Sequence, residues 1–137
     1  MSINPIWMKE TLLLIILLVC HYLADFCFTF PALIRAKADG KNLGPIALHS
    51  SVHAALVWLC LVVFGVEWKL LFLLVLLELV SHFIIDTSKA RISIRFTYLA
   101  DMRHKPYWML YGLDQLLHQF VVIIIWFCTI HEQNLYI

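Results

Sequence analysis

The chain has 137 residues, 63% of them hydrophobic, and a mean hydropathy of +0.88. Such a composition excludes an ordinary water-soluble domain. The formal net charge of +1 gives no sign of a nucleic-acid partner. A membrane-spanning helix needs roughly 20 mostly apolar residues. Four segments meet or approach this, at 11–30, 45–64, 69–87 and 108–130. The polar remainder is too short for a second domain. The expectation is therefore one integral membrane domain, all-α, over residues 1–137.

Span one is expected to start near Trp7, an interfacial anchor, and to end around Pro31. Lys9 is followed at once by Glu10, no A-x-A cleavage site appears, and Val19 stands where a lipoprotein box needs a small residue before Cys20. These features predict an uncleaved first helix. The stretch ALIRAKADGKNLG reads as a polar loop broken by Gly40 and Gly44, and Pro45 suits the first turn of span two. Gly65 ends that span, and Trp68 marks the next interface. Span three runs through LLFLLVLLELVSHFIID. The third loop, TSKARISIRFTYLADMRHKP, mixes cations with Ile92, Ile94, Phe96, Tyr98 and Leu99, which suits a segment lying along the membrane surface. Span four enters at Pro106–Trp108 and runs to about Ile130. Short connections favour antiparallel neighbours, so a four-helix bundle is expected.

Eight of the ten Lys and Arg residues fall in two loops: Arg35, Lys37 and Lys41, then Lys89, Arg91, Arg95, Arg103 and Lys105. With four spans both loops lie on one side. The positive-inside rule makes that side cytoplasmic, with both termini outside, and a bacterial inner membrane is the expected location. The cysteines Cys20, Cys27, Cys60 and Cys128 all lie in spans and form no CxxC, so they read as small hydrophobes rather than a disulfide framework.

The ionisable residues inside the spans carry the functional signal. Span one has His21 and Asp25, span two His49 and His53, span three His82 and Asp86, and span four Asp114 and His118. Each pair is spaced i, i+4, so both side chains share one helix face about 6 Å apart along the axis. All four pairs fall at the same depth, near the cytoplasmic ends. A lone histidine in a span is explained by a helix–helix hydrogen bond. Four pairs with one spacing, one depth and one per helix are not, even though a charge near the interface costs less than the roughly 2.5–3.5 kcal/mol of a span's centre. A metal site explains them. Eight ligands exceed the four of a single zinc, so two divalent ions bridged by an aspartate and an activated water are expected. Zinc is the first choice, with manganese or iron as alternatives.

Glu78 lies one turn outward of His82 on the same face and reads either as a proton shuttle or as a protonated group bonded to a neighbouring helix. Lys37 and Lys89 lie just below the pairs, placed to hold an anionic headgroup. Gln115, beside Asp114, is expected to face elsewhere. HYLAD in span one also resembles HFIID in span three, as two similar hairpins about an axis along the membrane normal would give.

The series H-x3-D-F at 21–26, Lys37, H-x3-H at 49–53, H-x2-I-D-x2-K at 82–89 and D-Q-x2-H at 114–118 resembles a family of small bacterial and phage membrane proteins catalogued as domain of unknown function 3307. The resemblance spans about residues 20–120 and implies that Lys37, Lys89 and Gln115 belong to the site. It also leads one to expect a glutamine shortly after the D-F of span one, where Thr29 stands instead. It implies no activity. Chemistry alone points first to a metal-dependent hydrolase acting on a lipid or lipid-linked substrate at the cytoplasmic leaflet. There Glu78, Lys37 and Lys89 would assist catalysis. The alternatives are a di-iron oxidoreductase and a metal-ion transporter or sensor, the transporter needing a homodimer.

Overall fold

The computed structural model describes residues 5–40 and 42–135; Lys41, counted above among the loop cations, lies outside them. The chain forms α1 (Pro5–Tyr22), a single π turn (Leu23–Cys27), α2 (Pro31–Asp39), α3 (Gly44–Val63), α4 (Trp68–Arg95), a 3-10 turn (Thr97–Leu99) and α5 (Lys105–Leu135). No strand occurs among the described residues. Four stretches, Trp7–Cys27, Gly44–Val63, Trp68–Arg95 and Lys105–Glu132, are long and apolar enough to cross a membrane.

Two expectations about the loops are overturned. ALIRAKAD is helical, not a loop: Pro31 supplies a fixed φ at the first helical position, and Gly40 closes the helix in the left-handed region at φ 60°. Leu33 and Ala36 bury the inner face of this short helix against Ile46, with Phe30, Leu43 and Phe83 around them. The third loop is much shorter than expected, because α4 continues to Arg95. Lys89, Arg91, Ile92 and Ile94 therefore ride on a helix that extends the span rather than on a surface strand of chain.

The opposite turn closes as the glycine predicts. Gly65, at φ 72°, donates to Val62 O, and Val66 donates to Leu61 O. This is the Schellman pattern, with Val66 and Leu61 sharing the core. Glu67 then caps α4, its carboxylate accepting from the amides of Lys69 and Leu70 at 2.7 and 3.2 Å.

The four long helices stand in a square. α3 and α5 each pack between α1 and α4, and α1 and α4 lie on a diagonal. That is the arrangement the two-hairpin reading requires. At the end of the bundle holding the termini, Leu13, Leu17, Val57, Leu61, Val122 and Ile125 make a dry core. Large apolar side chains such as Trp58, Leu73, Phe120 and Phe127 cover the outside, a surface suited to lipid rather than water. The other end carries most of the basic residues, and the buried histidines and carboxylates lie in that half.

Candidate metal centre

Every helix of the square delivers its pair to one place. His21, His49, His53, His82, Asp86, Asp114 and His118 are each at most 8% exposed. The helical spacing does the work expected of it, since i and i+4 side chains stack on the face turned toward the axis. At Asp25 the backbone departs from α geometry. Phe28 N donates to Leu23 O, the five-residue step of a π turn. Such turns are frequent at functional sites because they re-aim a side chain without ending the helix.

Asp25 is the hub. Its Oδ1 lies 3.1 Å from His49 Nε2, 3.4 Å from His53 Nε2 and 3.9 Å from His82 Nε2. Its Oδ2 lies 3.4 Å from His21 Nε2 and accepts a 2.9 Å hydrogen bond from Gln115 Nε2. Ligands held about 2.0–2.1 Å from a tetrahedral ion stand about 3.3–3.4 Å from one another. The Asp25, His49, His53 and His82 atoms approach that spacing. A second group, His82, Asp86 and His118, adjoins it, with Asp86 Oδ2 3.6 Å from His82 Nε2 and Asp86 Oδ1 3.8 Å from His118 Nε2. A third combines His21, His53 and His82 with Glu78. In each group the candidate ligand atoms lie within 4.8 Å of one another, and His82 belongs to all three.

Glu78 sits behind the rings. Its Oε1 is 3.4 Å from His82 Nδ1 and 3.7 Å from His53 Nδ1, while both rings turn Nε2 toward Asp25. A carboxylate on the far nitrogen of a histidine fixes the ring's orientation and tautomer, leaving the near nitrogen as an acceptor. The two lysines stand at the rim, Lys37 Nζ 2.7 Å from Asp86 Oδ2 and Lys89 Nζ 2.7 Å from Asp114 Oδ2. α2, unforeseen as a helix, is what carries Lys37 there. Asp114 falls outside the three close groups. It faces Lys89 and keeps Oδ1 3.8 Å from His118 Nε2.

Gln115 reverses the expectation that it faces elsewhere. Residues adjacent on a helix point about 100° apart, and α5 packs between α1 and α4. Asp114 therefore serves α4 while Gln115 serves α1. Thr29, at the position where a glutamine was expected, is exposed. Gln115→Ala should leave Asp25 free to rotate and weaken metal affinity roughly 10–100-fold, as loss of an orienting group does elsewhere. Competition against a chromogenic chelator measures this.

The cluster does not satisfy itself. Both ring nitrogens of His21 and His82, Nδ1 of His49, Nε2 of His53 and His118, and Asp114 Oδ1 are buried without a hydrogen-bond partner. Buried polar atoms are nearly always paired, so this many in one place call for an additional group. Protons cannot fill the role for all five rings. His53 and His82 have centroids 3.6 Å apart, and His82 and His118 4.2 Å. Two like charges about 4 Å apart repel by about 4 kcal/mol even at an effective dielectric of 20. Neutral imidazoles with converging lone pairs, beside carboxylates, form a donor set that fits a divalent cation.

Fold and site together define an α-helical bundle of membrane-spanning type with a buried histidine–carboxylate cluster able to hold metal. The chain belongs to the family described as protein of unknown function DUF3307, whose model matches residues 13–136. Comparison with curated proteins and with solved structures finds no match.

Proposed function

We propose that the protein is a metal-dependent hydrolase of the bacterial inner membrane, acting on a lipid-linked substrate at the cytoplasmic leaflet. The observation that carries this is the Asp25-centred set of buried donors at metal-ligand spacing, left unsatisfied by the protein itself. Asp25, His49, His53 and His82 would hold one divalent ion, zinc for preference, since tetrahedral His/Asp sets suit it. Asp86 and His118 would hold a second, with His82 giving its one free nitrogen to either ion but not to both. An ion held there supplies Lewis acidity and activates water near neutral pH. Glu78 faces the Nδ1 atoms of His53 and His82 and would favour the ligating tautomer of each. Lys37 and Lys89 draw an anionic headgroup to the rim and neutralise Asp86 and Asp114 until it arrives. The orientation follows from the cations, which cluster at the site's end of the bundle.

Transport is the weaker reading. A through-path would have to cross the core of Leu13, Leu17, Val57, Leu61, Val122 and Ile125, where the thiols of Cys20, Cys60 and Cys128 are the sole candidate ligands among the cluster's side chains and no carboxylate or imidazole is present.

The test is hydrolysis by the full chain, purified with its metal and placed in nanodiscs. Headgroup release from a panel of phosphoester, ester and amide lipids is expected, and Asp25→Asn should abolish it. Fully metal-loaded protein that releases nothing from the whole panel, or that carries metal across proteoliposomes, would overturn the hydrolase reading.

A further inference from the structure

We propose that the groove between α4 and α5 binds one hydrocarbon chain of an anionic phospholipid, whose phosphate Lys89 holds at the groove's inner end. The proposal rests on reading the centre as one that acts on lipids, and it names the class: lipids with a charged phosphate.

The groove has a volume of about 200 Å³. That is below the roughly 300–1,000 Å³ of sites that enclose whole small ligands, so it suits a stretch of chain rather than a headgroup. Its rim is apolar. Ile84, Ile92, Leu113 and Leu117 line it and are 55%, 39%, 51% and 40% exposed on the bundle's outer face. That face meets acyl chains in a membrane. The inner end is polar, and Lys89 and Asp114 form part of the lining. Lys89 Nζ lies 2.7 Å from Asp114 Oδ2 and 4.6 Å from the centre of the Tyr111 ring. An ammonium has three donors, so it can engage a phosphate oxygen as well as Asp114.

The groove also reaches the centre. The second oxygen of Asp114 is buried, has no hydrogen-bond partner and stands 3.8 Å from His118 Nε2. His118 belongs to the ligand group with His82 and Asp86. A phosphate on Lys89 is therefore set one carboxylate away from the cluster, with its chain leading out between the helices. A water-soluble anion would have to enter through the apolar rim and be stripped of water there, which is costly. A lipid brings its anion along the interface and fills the rim with hydrocarbon. The corresponding groove between α3 and α4 lacks this ending. It is lined by Ala47, Leu79, Val80 and Phe83 with two serines, whose hydroxyls donate to their own helix.

The test uses the full chain in phosphatidylcholine bilayers, with spin-labelled phosphatidic acid and spin-labelled phosphatidylcholine as probes. Electron spin resonance reads the motionally restricted fraction. Wild type should restrict more of the phosphatidic acid. Lys89→Ala should lose that excess and Lys89→Arg should keep it. Leu113→Trp, which fills the groove from its lipid-facing rim and leaves Lys89 in place, should lose it too. The proposal is overturned if the excess survives in Lys89→Ala or in Leu113→Trp. It is equally overturned if Lys105→Ala, an exposed cation at the start of α5, removes the excess as fully. Metal content of the same samples separates the two readings. Bound metal without lipid preference overturns the groove alone. Lipid preference without bound metal leaves the groove standing and removes the metal-dependent hydrolase.

Discussion

His82→Ala should release the metal altogether. His82 contributes a donor to all three groups of candidate ligands, so its loss opens each of them at once. The bound metal per chain, read by inductively coupled plasma mass spectrometry, should fall from the wild-type value to near background. Stability should fall too, by about 3–5 kcal/mol, because the Glu78 and Asp25 carboxylates lose a partner they cannot replace from solvent. His104→Ala is the control. The His104 side chain is 60% exposed at the bundle's end and pairs with Asp101, so metal and stability should both stay as in wild type. Wild-type metal content in His82→Ala would remove the central assignment.

Chelation should destabilise the intact protein by a comparable amount. A ligand present at about a thousand times its dissociation constant stabilises the folded state by about 4 kcal/mol. For a chain of this size that corresponds to a fall in Tm of roughly 10 °C on adding EDTA. The loss should be reversed by restoring zinc and be absent in His82→Ala, which has no metal to give up. A thermal scan followed by tryptophan fluorescence would report it, since Trp126 ties α5 to α1 through its bond to Glu10 O at 2.8 Å. An unchanged Tm would mean that the buried imidazoles satisfy one another without an ion.

The four pairs were legible because helical spacing and hydropathy together fix both face and depth. H-x3-D, H-x3-H and D-x3-H need no tertiary information to be placed on one face of an apolar helix. The close groups of donors draw on all four helices and take in every pair member but Asp114. What escaped was of three kinds. α2 was hidden by its composition: Arg35 and Lys37 make it polar on average, although the Pro31 and Gly40 that bracket it were in plain view. The end of α4 was misread because a run of cations suggests water, whereas a helix continues past a membrane as readily as within it. The role of Gln115 depended on which helices flank α5, and no local pattern states that. The π turn at Leu23–Cys27 has no sequence signal that we can name.

Asp101 shows how little the outermost charges share in this. Arg103 chelates its carboxylate at 2.7–3.1 Å and holds its pKa below the usual range, yet the pair is open to solvent and away from the centre. Exposed pairs of this type contribute little.

The dry core at the end opposite the site has an electrical meaning. In a membrane the transmembrane voltage drops mainly across the hydrocarbon-like layer, where a full crossing is worth about 2.3 kcal/mol per charge per 100 mV. Leu13, Leu17, Val57, Leu61, Val122 and Ile125 fill one end of the spans with hydrocarbon, and the histidine–carboxylate cluster lies nearer the other end. On the proposed reading, ions, protons and substrate would exchange at the basic end without crossing that core. A centre so placed would turn over in an energised cell without carrying charge through the apolar end of the bundle.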